Sequence, residues 1–277
     1  MSTVFDQMVS RYQIVTEADK LNALHEVMQQ IALAALYRAG FFEKAAFYGG
    51  TCLRIFHDLP RFSEDMDFSL LKKDDSFSLE KYFDAIITEF RAHGREVAIT
   101  RKTKTSITQI ESAFLKDNTE IYNIEFQVQR TVKIKIEVDK NPPLGFNTEY
   151  KLLLLPFSFM TRCFDLPGLF AGKMHAFLFR NWKNRVKGRD WYDLEWYVRN
   201  EYKLDFAHFE NRCIQSGHIS EYGFTHHDLV NLLKERISNT NIDRVKDDVK
   251  PFVKNVQDLS IWSNDYFLNL VDLIKFE

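Results

Sequence analysis

The residues best suited to chemistry fall in one short stretch, FYGGTCLRIFHDLPRFSEDMDFSLL, Phe47 to Leu71. A chain with only ten glycines places two of them together, Gly49 and Gly50, and follows them with Ser63, Asp65 and Asp67. Two carboxylates one residue apart on a strand share a face, roughly 6–7 Å apart along the chain. Like charges that close raise each other's pKa unless a cation lies between them. Magnesium suits such a pair, because it takes a few carboxylates together with phosphate oxygens and water. Two such ions would hold the attacking and leaving oxygens of an in-line phosphoryl displacement. The glycine pair adds bare backbone N–H groups at a helix start, a natural seat for a phosphate. Glycine turn, helix and Asp-x-Asp strand together read as a site for a nucleoside triphosphate and Mg²⁺. An Asp-x-Asp alone is also what the solvated face of an amphipathic strand looks like. A third carboxylate favours the site. Glu137 lies on the polar face of TVKIKIEVDK, and Asp139 points the same way and is the alternative.

The elements that must position these residues are readable from periodicity. Apolar residues recur at helical spacing from Glu17 to Ala39, and Gly40 stops that helix. KAAFYGG reads as a short apolar strand ending in the glycine pair, with Thr51 as the cap of a short helix, CLRIFHDL. SEDMDFSLL alternates as a strand, and FSLEKYFDAIITEFRAHG is an amphipathic helix. From Arg95 to Asp139 the pattern is that of strands, in REVAITRKT, TEIYNIEFQV and TVKIKIEVDK. NPPLGFNTEY reads as a loop and a domain seam. After Pro167-Gly168 the chain is helical to its end. The expected organisation is a helix, a mixed α/β sheet and an all-helical C-terminal half, divided as residues 1–150 and 151–277.

Composition narrows the class. The chain of 277 residues is 45% hydrophobic and carries a net charge of −2, ordinary for a globular protein and not for a wholesale nucleic-acid binder. Its three cysteines, Cys52, Cys163 and Cys213, form neither a disulfide framework nor a zinc pattern, which points to a reducing, cytoplasmic setting. Met1 to Gln13 shows no apolar signal-peptide core, and no window of about 18 apolar residues suggests a membrane span.

The motifs also resemble a family. GGTCLR followed by RFSEDMDF resembles the G-G-T-x-L-R … R-x-S-x-D-x-D-F signature of AbiEii/AbiGii-type toxins, members of the DNA polymerase β-like nucleotidyltransferase superfamily. LPGLFAGKMHAFLFR resembles their lysine-bearing helix, and KGRDWYDL their R-D-x-Y-D-L motif, in the expected order from about Phe47 to Leu194. The resemblance implies an α+β fold, a nucleotidyltransferase-type mixed sheet with flanking helices plus a C-terminal helical domain. It implies that Gly49, Gly50 and Thr51 form the phosphate loop, with Arg54 beside it. Ser63 would contact the triphosphate, and Asp65, Asp67 and Glu137 would bind metal. Lys173 would hold the nucleotide phosphates, with Arg189 and Asp190 nearby and Asp193 the essential acid of the last motif. Capping and stapling a helix start is the alternative reading for Arg189-Asp190 and Asp193. The implied activity is Mg²⁺-dependent transfer from an NTP, with two ions, by a toxin held in check by a cognate antitoxin and acting in phage defence. The leading acceptor is the 3′ end of tRNA. Transfer to a protein side chain, or a non-catalytic nucleotide- or antitoxin-binding module, are the alternatives. The basic run RNWKNRVKGR, Arg180 to Arg189, is a candidate patch for phosphates or a solvated loop, and RAHGREVAITRKTK is a weaker second one.

Overall fold

A computed structural model describes residues 3–101, 119–127, 131–180, 186–220 and 223–277. The chain divides into two compact units. The first contains Met1–Asp58, Phe62–Pro142 and Thr148–Cys163, and the second contains Leu59–Arg61, Pro143–Asn147 and Phe164–Glu277.

The first unit begins with α1 (Val4–Val9) and α2 (Glu17–Arg38). Thr16 starts α2 by accepting the Asp19 N–H, while Asp19 accepts the Thr16 N–H, a reciprocal capping box. Ala39 caps the other end, and Gly40 follows with φ 72°, a left-handed turn that glycine adopts without strain. The chain then forms β1 (Ala45–Tyr48), α3 (Gly49–Phe56), β2 (Asp65–Leu70), α4 (Phe83–Ala92), β3 (Val97–Arg101), β4 (Thr119–Gln127), β5 (Thr131–Asp139), β6 (Thr148–Leu153) and β7 (Phe159–Phe164). These strands make one seven-stranded sheet in the order β3-β4-β5-β2-β1-β7-β6. It is mixed: β2 runs parallel to β5 and antiparallel to β1, and β1 runs parallel to β7. Alternation on β5 buries Val132, Ile134, Ile136 and Val138, and α2 covers that side. Phe41, Phe47, Phe68, Phe77 and Tyr82 meet there with ring centroids 5.0–6.1 Å apart, each pair contributing about 0.5–1.5 kcal/mol beyond its buried area.

Three expectations change. Thr51 is not a helix cap: α3 begins two residues earlier, at Gly49, because glycine takes the positive φ of 81° that the turn from β1 requires. The segment read as a loop and seam contains the start of β6. Its prolines and glycine end at Gly145, and from Thr148 the alternating TEYKLL pairs into the sheet beside β7. The expected boundary at residue 150 lies within β6, and by compactness Leu59–Arg61 and Pro143–Asn147 group with Phe164–Glu277. The C-terminal part, expected to be all helical, also holds a small parallel strand pair, Lys203–Leu204 with Lys275–Phe276.

The second unit contains α5 (Leu166–Phe179), α6 (Gly188–Arg199), β8 (Lys203–Leu204), α7 (Phe206–Gln215), α8 (His226–Ser238), α9 (Ile242–Val249), α10 (Asn264–Val271) and β9 (Lys275–Phe276). Asp165 caps α5 by accepting the Gly168 N–H at 3.0 Å, and Pro167 sits in the first turn where no N–H is missed. α5 packs on α6 and α7, and Phe170 stacks on Tyr197 with centroids 4.1 Å apart. Trp191, Trp196, Tyr197 and Phe209 are buried, as core residues. Gly188 lets α6 meet α9 closely: an added Cβ would lie 2.2 Å from the Val245 carbonyl oxygen. Among the described residues no helix is long and apolar enough to cross a membrane.

Candidate active site

In the first unit the sheet register assembles the acidic face. On the parallel strands β2 and β5, Asp65 lies opposite Lys135, Asp67 opposite Glu137, and Ser69 opposite Asp139. Glu137 is thus the carboxylate beside the Asp-x-Asp pair, and Asp139 is one step further along, accepting the Asn141 N–H at 3.0 Å. Asp65, Asp67, Lys135 and Glu137 share one face and are half-buried, while Met66, Phe68, Ile136 and Val138 fill the other.

Gly49 abuts this face. A Cβ on it would lie 2.3 Å from Asp67 Oδ2, a contact no other residue could make without displacing the carboxylate. Among the described residues no side-chain hydrogen bond caps α3 at Tyr48, and a helix start of this kind presents N–H groups in a direction that suits an anion. Gly50 is buried in that first turn. Thr51 is fully buried, and its hydroxyl donates to the Asp65 backbone carbonyl, bracing the start of β2. Ser63 is half-buried, and its carbonyl accepts from Gln29 Nε2 at 3.0 Å, as does that of Glu64. Arg54 pairs with Glu26 at 2.8 Å and covers the Phe62 ring at 4.6 Å, so it anchors α3 to α2.

Lys135 is the member of this face that the motif left out. Its Nζ is 2.5 Å from Glu137 Oε1. Burial pulls its pKa down, but Glu137, the hydrogen bond between them, and Asp65 and Asp67 outweigh that and hold the ammonium above its usual range. The cue was its place on the polar face two residues before Glu137. Among the described residues no three acidic, histidine or cysteine side chains converge into a ready-made metal cage. The donor chemistry nevertheless fits a hard divalent ion, with paired carboxylate oxygens on one rigid face and a third alongside.

In the second unit the candidates form a separate cluster. Lys173 on α5 reaches Asp193 Oδ2 at 2.7 Å and Asp190 Oδ1 at 3.8 Å, both on α6. Asp193 has no exposed surface, and Arg61 grips it from the other side, with Nε at 2.6 Å from Oδ1 and a terminal nitrogen at 2.6 Å from Oδ2. Burial would raise the Asp193 carboxyl, yet Arg61 and Lys173 more than offset it and hold it below its ordinary value. Asp193, held by Arg61 and Lys173 together, orients the Lys173 ammonium. Asp190, in the first turn of α6, also lies 3.8 Å from Arg180. Arg189 covers the Phe252 ring at 4.1 Å. Arg61 stood inside the RFSEDMDF motif without a role, since a buried arginine is legible only once its partner is. Of the basic run at residues 180–189, positions 181–185, with Trp182, lie outside the described residues, as do positions 102–104 of the second basic stretch.

Comparison with known proteins now bears on these two clusters. The family model described as nucleotidyl transferase AbiEii toxin, type IV TA system, matches residues 31–269. The chain belongs to the AbiEii nucleotidyltransferase toxin family. It is accordingly a nucleotidyltransferase that takes a nucleoside triphosphate, and a toxin of the type IV toxin–antitoxin class, which implies an antitoxin partner. The AbiEii match spans both units and every candidate residue named above. No curated protein matches the chain. Among solved structures it is similar to JHP933 from Helicobacter pylori, with a TM-score of 0.54 and 16% identity over 94% of this chain and 93% of that one. It is also similar to MenT4, a nucleotidyltransferase toxin from Mycobacterium tuberculosis H37Rv, with a TM-score of 0.54 and 15% identity over 97% of this chain and 98% of that one. At that identity the likeness establishes the fold, an α+β nucleotidyltransferase-type sheet with helices.

Proposed function

We infer that this AbiEii-family enzyme is Mg²⁺-dependent and transfers a nucleotide from an NTP to the 3′ acceptor end of tRNA, inhibiting translation when its antitoxin is absent. One observation carries the reaction: Asp65, Asp67 and Glu137 stand side by side on two adjoining strands, with Gly49 of the uncapped α3 start against Asp67. The tRNA acceptor and the role in phage defence rest on the family resemblance.

In this reading the acceptor hydroxyl oxygen forms a bond to the α-phosphorus, the bond to the β-phosphate oxygen breaks, and pyrophosphate leaves. Asp65 and Asp67 hold the metal, with Glu137 beside them. Mg²⁺ held by these residues would supply positive charge against that building on the α-phosphate and on pyrophosphate. The N–H groups of Gly49, Gly50 and Thr51 receive phosphate oxygens at the helix start. Ser63 lies two residues before Asp65 for a triphosphate contact. Lys173 neutralises the phosphates, and Asp193, clamped by Arg61, keeps its ammonium in place. A carboxylate of the acidic face takes the acceptor's proton.

The test is incubation of purified protein with Mg²⁺, total tRNA and each α-³²P NTP in turn. Label on the tRNA 3′ end is the expected result. Label on a protein instead would overturn the tRNA acceptor, and no label on either would overturn the transfer reaction as stated.

A further inference from the structure

α2 buries a primary amide on the same helix as the buried Val27, Met28, Ile31 and Ala32. Gln29 has no exposed surface, and an amide placed there is costly unless its hydrogens are used. Its Nε2 donates to two consecutive main-chain carbonyls, those of Ser63 and Glu64, each at 3.0 Å. The next carbonyl, that of Asp65, accepts the buried Thr51 hydroxyl from α3. Ser63 and Glu64 precede β2 and lie outside the regular elements, where a main-chain carbonyl takes its partner from a side chain or water. Side chains of two helices thus tie down three successive carbonyls, at the residues that carry the Ser63 hydroxyl and the Asp65 carboxylate. We propose that Gln29 is a positioning residue of the transferase: its amide fixes the main chain at Ser63 and Glu64, and so sets where the Ser63 hydroxyl and the Asp65 carboxylate stand.

This rests on the nucleotidyltransferase reading of the acidic face and deepens it by one residue behind that face. Gln29 acts through Ser63 and Asp65 and touches no reacting atom. Methionine has nearly the length and volume of glutamine, so filling this space does not require an amide. What the amide adds is donation. Replacing Gln29 with methionine keeps the packing and removes that donor from both carbonyls. The chain entering β2 is then tied only at Asp65, by Thr51, and the two motif side chains lose their fixed place.

The experiment compares the full-length wild type with Gln29→Met, Gln29→Asn and Val27→Ala. Amide hydrogen exchange is read without nucleotide, and kcat and KM for nucleotide transfer to tRNA are measured beside it. Val27→Ala truncates a fully buried side chain of the same helix and is the control for lost stability. Gln29→Met is expected to exchange faster at residues 62–67 and to lose roughly 10–10²-fold in kcat, with KM for tRNA close to the wild type's. Val27→Ala is expected to lower the melting midpoint and leave both the exchange at residues 62–67 and kcat near wild type. Unchanged exchange or unchanged kcat in Gln29→Met overturns the assignment, and so does an equal loss of kcat in Val27→Ala. Should Gln29→Met not fold, Gln29→Asn decides: its amide is one methylene too short for both carbonyls, so a lowered kcat supports the assignment and a wild-type kcat overturns it. Failure of the proposed reaction looks different. A wild type that transfers no nucleotide to any acceptor removes the reaction, and the exchange at residues 62–67 still decides whether Gln29 holds that segment.

Discussion

Gly49 and Asp67 are packed so closely that no side chain fits between them: a Cβ at position 49 would lie 2.3 Å from the Asp67 carboxylate oxygen. The glycine also has φ 81°, which costs an L-residue about 1–2 kcal/mol. Gly49→Ala is therefore expected to push Asp67 out of line with Asp65 and Glu137. A displacement of the order of 1 Å at a reacting centre costs roughly 10²-fold in rate. Steady-state kcat/KM should fall by about that much while the thermal midpoint drops only modestly. Unchanged kinetics would show that the Asp67 position is not needed.

Arg61 and Asp193 are the buried ion pair of the second cluster, 1% and 0% exposed as side chains. Removing one member of such a pair leaves an uncompensated charge and costs about 3–5 kcal/mol. Asp193→Asn should lower the urea midpoint accordingly and cut activity as well. Lys173→Met, at the better-solvated end of the same network, should lose activity with a smaller change in midpoint. Equal midpoints for wild type and Asp193→Asn would contradict the clamp.

Acid should loosen the second unit through its buried histidines. Burial, with Arg212 nearby, pushes His175 down to about 2 and His208 to about 3, both from 6.5. A histidine held neutral in the fold contributes stability that is complete above its unfolded pKa of 6.5 and is lost as pH falls below it, because the unfolded chain binds the proton first. The slope is at most about 1.4 kcal/mol per pH unit for each group. Urea midpoints from pH 7.5 to 4.5 should show the fall beginning near 6.5. His208→Leu should flatten it, since His208 is fully buried and both its ring nitrogens lack a hydrogen-bond partner among the described residues. A flat profile in wild type would refute this.

Close packing of α6 on α9 sets a further test. A Cβ at Gly188 would lie 2.2 Å from the Val245 carbonyl oxygen and 2.9 Å from the Val249 nitrogen, both backbone atoms that cannot rotate away. Gly188→Ala is expected to cost about 1–3 kcal/mol by forcing the helices apart, measured by denaturant unfolding. A neutral effect would mean that this helix pair yields freely.

Most of the fold was legible where one period dominates: the 3.6-residue pattern of α2 and the strict alternation of β5 each declare an element and its buried face. β6 was not, because the prolines and glycine just before it look like a loop. The acidic face was legible too, since Asp65, Asp67 and Glu137 follow from alternation on two strands. Which carboxylate stands beside Asp67 depends on register between β2 and β5, which no single strand encodes. Thr51, Arg61 and Lys135 share one limitation. Thr51 and Arg61 draw their roles from partners elsewhere in the chain, the Asp65 carbonyl and Asp193, and Lys135 from the register that sets it opposite Asp65, and residue type alone reveals none of these.

The most direct measurement is pyrophosphate release from each NTP in the presence of tRNA and Mg²⁺, with wild type beside Asp65→Asn, a variant of equal size that removes one charge. The account expects release in the wild type to match nucleotide gained by tRNA, and to fall by at least about 10²–10³-fold in the variant. Equal release from both proteins would contradict it, because the Asp65–Asp67 face would then not be where the reaction occurs.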